Sequence, residues 1–239
     1  MKLISVNIGS LQALEVGNHS LKTGIFKSPV SNAVHVGKLG IEADVVQNKK
    51  HHGGPDQAVY VYGTADYAWW TEYLQTELEP GIFGENLTIS DLESATFHIG
   101  DRLKIGTVLL EVSASRIPCS TLAARMGDTG FAKKFKQARR PGLYCRVLEE
   151  GMVQVGDSVT LEPGEGEYLS VVDTFDWFYD PNPSLEMIQR VLAAPVAIRA
   201  REMYQELLER SDPSPSARVA REVLSYEQEG ASLGSRSEA

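Results

Sequence analysis

Arg102-Leu103-Lys104-Ile105, then Gly106, then Thr107-Val108-Leu109-Leu110-Glu111-Val112-Ser113: two β-like runs either side of one glycine set the character of this chain. Outward from them, similar runs rich in Val, Ile and Tyr recur at residues 2–8, 33–36, 41–46, 57–62, 143–149 and 158–162, punctuated by glycine. Several alternate apolar and polar residues with period two, the pattern of half-buried strands. Long βα alternation is missing, which disfavours a doubly wound sheet. A mainly β domain, an antiparallel barrel or sandwich, is therefore expected up to about residue 163.

Two helices should interrupt it. Thr64 can cap a segment with Tyr67, Trp70 and Leu74 on one face, and Phe131, Phe135 and Ala138 share a face after Asp128-Thr129. Beyond Gly164-Glu165-Gly166 the texture turns helical. Asn182-Pro183 offers an N-cap and a first-turn proline for a helix bearing Leu185, Ile188, Val191 and Leu192. Pro195 opens a second, with Val196, Ala200, Met203, Tyr204, Leu207 and Leu208 at helical spacing, and Val219, Val223 and Tyr226 mark a third. The expected division is a β domain over 1–163, a three-helix domain over 168–227, and a disordered tail over 228–239 that carries little apolar material.

The 239 residues contain 42% apolar and 23% charged residues, enough to bury a sizeable core and unlike a disordered or collagenous chain. With 32 acidic against 23 basic residues the net charge is −9, which argues against nucleic-acid binding through overall charge. No run approaches the roughly 18 apolar residues of a membrane span, and the N-terminus lacks a signal-like apolar region, so a cytoplasmic location is expected. Cys119 and Cys145 are too few for an all-thiolate iron–sulfur cluster or a paired zinc site, and no disulfide is expected in a reducing compartment.

Four segments could carry chemistry. Cys119 follows a β run, precedes a short helix-like stretch and has Arg116 three residues before it. Both features lower a thiol pKa and suit a nucleophile or soft-metal ligand, against the alternative of an inert buried cysteine. Cys145, inside an alternating strand, reads as core. In Lys49-Lys50-His51-His52-Gly53-Gly54-Pro55-Asp56 paired glycines and cations could cradle an anion, or form a solvated turn. Gly81-Ile82-Phe83-Gly84-Glu85-Asn86 delivers a carboxylate and an amide that could meet a heterocycle edge, or is an ordinary turn. Lys133, Lys134, Lys136, Arg139 and Arg140 form a basic run that could meet a phosphate or an acidic partner, or be a solvated helix face. No GxSxG, Walker A or GxGxxG motif is present.

Singly these segments are weak, but their order is specific: KSPV from Lys27, HHGGPDQAV from His51, GIFGENLT from Gly81, IGDRLKIG from Ile99, RIPCSTLAARMG from Arg116 and RRPGLYCRV from Arg139. This series resembles the MOSC domain of molybdenum cofactor sulfurases, and more closely the stand-alone bacterial YiiM-type proteins. The resemblance implies a MOSC-type β-barrel with a few peripheral helices plus a small C-terminal helical domain. It also implies a molybdopterin-type molybdenum cofactor, with Cys119 as catalytic residue and molybdenum ligand. Lys27, His51, His52, Gly53, Gly54, Asp56, Glu85, Asn86 and Arg116 fall around the cofactor by the same carry-over. The activity implied is reduction of N-hydroxylated compounds, with electrons from a separate flavoprotein or ferredoxin. Its alternatives are a non-catalytic cofactor carrier, or a persulfide sulfur carrier acting through Cys119. Pyridoxal phosphate is not expected, because the aminotransferase-like portion that would bind it is absent.

Overall fold

The computed structural model describes residues 1–47 and 52–211. The quoted runs form β9 (Arg102–Ile105) and β10 (Val108–Ser115), paired antiparallel about Gly106, whose φ of +57° favours glycine. β10 is buried along nearly its whole length. It also pairs with β11 (Leu143–Glu149), with register shifts after Leu109 and Val112. Such bulges bend a strand and increase its twist, which here curls the centre of the sheet.

β11 continues to β7 (Val59–Gly63), β7 to β8 (Leu87–Ile89), β8 to β1 (Leu3–Gly9) and β1 to β4 (Lys27–Val30); β13 (Val159–Glu162) flanks β9 at the far edge. The result is an eight-stranded mixed sheet, because β7 and β8 run parallel while the other neighbours are antiparallel. β2 (Gln12–Val16) with β3 (His19–Thr23) forms a separate hairpin, and β5 (Val34–Gly37), β6 (Gly40–Ile41) and β12 (Gly151–Val153) a three-stranded sheet. The two flanks of the large sheet meet where Lys2 bridges Ser158 and the Leu3 N–H donates to the Asp157 carbonyl at 2.9 Å. Among the described residues this contact is a bridge, not a continuous ladder, so the sheet is open.

Alternation in β7 sorts side chains between two cores. Val59 and Val61 join the aliphatic core of the sheet. Tyr60 and Tyr62 join an aromatic core with Trp70, Phe83, Phe131 and Phe135. α1 (Thr64–Leu74), α2 (Ser120–Arg125) and α3 (Phe131–Ala138) enclose that second core. Thr64 lies inside α1 and does not cap it; its hydroxyl instead accepts the Asp91 N–H at 3.0 Å.

After residue 168 come α4 (Val171–Trp177), α5 (Leu185–Ala193) and α6 (Ile198–Ser211). α4, missed in the sequence, starts with a capping box between Ser170 and Asp173. Ser184, not Asn182, caps α5 by accepting the Met187 N–H. Ile188, Val191, Leu192 and Tyr204 pack in the same aliphatic core as the sheet. At about 1.5–3 kcal/mol per fully buried large apolar side chain, this contact is what orders short helices that would be marginal alone. The expected third helix at Val219, Val223 and Tyr226, and the tail, lie outside the described residues.

Candidate functional site: a thiol between two cavities

β10 ends at Ser115 and the chain runs extended through Arg116-Ile117-Pro118 to Cys119, which occupies the position before α2. α2 has six residues, too few for a large macrodipole, so Cys119 is polarised by its immediate neighbours. Burial alone would raise its pKa. The His52 side chain hydrogen-bonds the thiol, the Arg116 guanidinium adds positive charge and the Leu122 amide adds its dipole, and together they bring it down to about 6. Cys119 is therefore mainly thiolate at neutral pH. Cys145 is fully buried in β11 and burial pushes its thiol well up, in line with its reading as core.

Gly53 and Gly54 have φ of +72° and +85°, a conformation that costs glycine little, and the reversal they make delivers His52 to Cys119. His51 lies outside the described residues.

Arg116 is only 4% exposed. Its guanidinium lies 5.3 Å from the centre of the Tyr60 ring and 5.7 Å from that of Phe135, and it hydrogen-bonds Tyr144. Its Nη1 is buried without a protein hydrogen-bond partner. Such a group costs about 1–3 kcal/mol or more when left unsatisfied, which marks a place for an anionic or acceptor-rich ligand.

Arg116, Cys119, His52, Lys27 and Asn86 all line one cleft of about 250 Å³. Lys27 does not act there as a lone cation. Its Nζ lies 2.6 and 2.5 Å from the two oxygens of Asp44, and burial lowers its pKa against the pull of that carboxylate. Asn86 is likewise engaged, donating to Asp44 at 2.9 Å and accepting the Tyr60 N–H at 3.1 Å. Asp44 thus organises this wall of the cleft, and the sequence reading missed it, as it missed Tyr60 and Tyr144.

Three expected residues, Gly54, Glu85 and Asp56, do not line this cleft, whereas Gly53 does. Glu85 is buried and absent from the cleft lining. Its Oε1 accepts from the Tyr67 hydroxyl at 2.5 Å, the Gly81 N–H at 2.7 Å and the Thr88 hydroxyl at 2.9 Å. Asp56 lines neither cavity described here. It accepts from Arg146 Nε at 2.8 Å and from the Ile198 N–H that begins α6 at 2.7 Å, so it is a structural tie.

The basic run is also largely spent within the chain. Lys134 pairs with Asp128, Arg139 with Asp176, and Arg140 with Asp66 and Glu93, while Lys136 lies over the Tyr179 ring. The Lys134 and Arg139 pairs lie at the surface of α3 and the turn that follows it, so the run is a charged surface with internal partners. In RRPG, Gly142 has φ of +67° and a Cβ there would come within 2.6 Å of both Tyr60 and Tyr62, so the motif seats the backbone against the aromatic core.

A second cavity, of about 380 Å³, lies on the other side of Cys119, and His52, Gln57 and Tyr144 border both. Among the described residues no group of three or more His, Cys, Asp or Glu side chains is placed to hold a metal ion, and no helix is long and apolar enough to cross a membrane.

Residues 48–160, which carry His52, Arg116 and Cys119, match the family model described as MOSC domain. The chain is 35% identical to the uncharacterized protein YflK of Bacillus subtilis over 191 residues, covering 80% of this chain and 86% of that one. It belongs to the MOSC domain family. The crystal structure of YiiM from Geobacillus stearothermophilus superposes with a TM-score of 0.70 at 27% identity, over 86% of this MOSC chain and 97% of that one. A protein named "Reductase" from Gibberella moniliformis is 29% identical over 212 residues, 84% of this chain but 38% of its own length.

Proposed function

We propose that this MOSC protein binds a molybdopterin-type molybdenum cofactor in the 250 Å³ cleft, with Cys119 as the metal's thiolate ligand, and reduces N-hydroxylated compounds. The observation that carries the reading is the meeting, in one cleft, of a thiolate at neutral pH and a buried guanidinium with an unpartnered nitrogen. A soft, low-pKa thiolate is the donor that such a metal prefers, and a desolvated arginine is the group that best holds a phosphate or pterin oxygen. The name "Reductase" of the Gibberella relative supports the direction of the chemistry.

The residues fit this cofactor in complementary ways. Arg116 would bind its anionic part, Lys27 would offer a charge already shared with Asp44, and His52 would hold the Cys119 sulfur deprotonated and oriented. Tyr60, Tyr144 and Ile25 would wall the site from water. When bound, the cofactor supplies removal of the oxygen of an N–OH group, which with two electrons from a separate flavoprotein or ferredoxin and two protons yields the amine or amidine and water. The family's barrel is, in this reading, the curled sheet with its Lys2–Ser158 bridge, and the site opens to the cytoplasm.

Molybdenum and released pterin per chain, compared between wild type and Cys119→Ser made anaerobically in a cofactor-producing host, test the assignment. Near-stoichiometric metal in wild type and its loss in the variant are expected. Equal metal in both removes Cys119 as ligand, and no metal or pterin in either shifts the reading to sulfur transfer.

A further inference from the structure

One wall of the cofactor cleft is unlike the others. Lys27 is tied to Asp44, Asn86 to Asp44 and the Tyr60 N–H, and the Tyr60 hydroxyl to the Pro141 carbonyl at 2.9 Å. The β2–β3 hairpin, whose Leu21, Lys22 and Thr23 also border the cleft, has no such tie. Among the described residues the hydrogen bonds of residues 10–23 stay inside residues 10–25: the β2–β3 ladder, Gln12 to the Ser10 hydroxyl at 3.0 Å and the Ile25 N–H to the Thr23 hydroxyl at 3.2 Å.

Packing holds the hairpin to the body. The pairing of Leu14 with Leu21 puts Leu14, Val16, Leu21 and Thr23 on one face, half-buried or buried, while Ala13, Glu15, Ser20 and Lys22 on the other are exposed. The hairpin reaches the cleft through β3, and through β2 it lies against α2, the helix that follows Cys119. Leu14, Val16 and Leu21 join neither core of the protein. A two-stranded hairpin is marginal by itself, so this segment belongs to the low-stability end of the fold, where local opening concentrates.

Its two legs, by contrast, are fixed. The Gly9 N–H donates to Asp44 Oδ1 at 2.8 Å and the Val45 N–H to the Gly9 carbonyl at 3.2 Å. A Cβ on Gly9 would collide with the Gly24 carbonyl, and one on Gly24 with the Val45 carbonyl. The legs therefore meet backbone against backbone, beside the same Asp44 that holds Lys27 and Asn86. Motion is confined to what lies between them.

We infer that the β2–β3 hairpin is a lid: it swings off α2 about Gly9 and Gly24 to admit a bulky ligand to the cleft, then closes over it. Such a ligand has to reach Arg116 Nη1, which is buried, and the hairpin is a wall that yields without giving up a hydrogen bond to the body. The inference rests on the cofactor reading above for the identity of the ligand and adds the route by which it enters.

The test has two arms, both on the full chain. Leu14→Ser and Val16→Ser loosen the inner face, Ala13→Ser is the outer-face control, and none of the three positions lines the cleft. In the cofactor-free chain Cys119 is labelled with iodoacetamide and with the bulky fluorescein-5-maleimide, and the ratio of the two rates cancels the thiol's own reactivity. Either inner-face variant should raise the bulky-to-small ratio at least about fivefold, and Ala13→Ser should leave it unchanged. In the cofactor-loaded chain the same two variants should shorten the half-time of pterin release, read by fluorescence of the oxidised pterin, at least about fivefold. A ratio unmoved by both inner-face variants, or raised as much by Ala13→Ser, overturns the lid. A raised ratio in a chain that takes up neither pterin nor molybdenum supports the lid and sinks the cofactor reading. Stoichiometric cofactor whose release neither variant hastens does the reverse.

Discussion

His52→Ala should move the ionisation of Cys119 upward by an amount that the site's geometry sets. In the intact protein burial opposes the thiolate, but His52, Arg116 and the Leu122 amide hold it at about 6. A hydrogen bond to a charged group is worth about 1.5–3 kcal/mol. One pKa unit corresponds to about 1.36 kcal/mol, so losing the bond should carry the thiol to roughly 7–8. It should stop short of a free thiol's value while Arg116 remains. The assay is the rate of alkylation by iodoacetamide as a function of pH, read at Cys119 by mass spectrometry on the cofactor-free chain. Cys145 serves as an internal control, because it is fully buried. The inflection of the profile is the quantity to read, not the rate at one pH, since a more basic thiolate is also more nucleophilic and offsets part of the loss. An inflection near 6 in wild type and near 7–8 in His52→Ala is expected. A wild-type inflection above 8, or one unmoved by the substitution in a chain that still folds, would refute the reasoning.

Other consequences follow from the scaffold. Gly142→Ala should destabilise the chain by about 2 kcal/mol or more, combining a left-handed backbone with a Cβ driven into Tyr60 and Tyr62; urea denaturation reads this, and a change below about 0.5 kcal/mol would contradict the close approach. Burial raises the Glu85 pKa, so the folded chain retains a proton that the unfolded chain releases. The stability this carries is complete below the ordinary glutamate range and is lost as pH rises through the raised value. Glu85→Gln keeps an acceptor for Tyr67, Gly81 and Thr88 and should therefore gain melting temperature relative to wild type at pH 8 but not at pH 4; equal differences at both would show that folding does not raise the carboxyl's pKa. Ser184→Ala should cost about 1 kcal/mol by removing the α5 cap, with Asn182→Ala near neutral as the contrast.

The order of short motifs, the glycine punctuation and the alternation of 102–113 and 143–149 were enough to read a mainly β chain of this family and to single out Cys119, Arg116 and His52. Those signals are local: turn chemistry and period-two patterning survive in one dimension. Strand pairing does not: the sequence predicts an antiparallel barrel or sandwich, whereas β7 runs parallel to β8, a three-residue strand outside the expected runs whose contact joins residues 26 apart. α4 went unread because its apolar residues serve two cores, with Val171 on the aliphatic side and Phe175 on the aromatic side, leaving no single stripe to recognise. Tertiary structure also sorted the family-suggested residues. It brought Cys119, His52, Arg116, Lys27 and Asn86 to one cleft, recruited Asp44 from a loop with no motif, and withdrew Glu85 and Asp56 into support. A sequence states which side chains carry charge or sulfur, but whether each faces a ligand or another residue depends on distances that close only when distant segments pack.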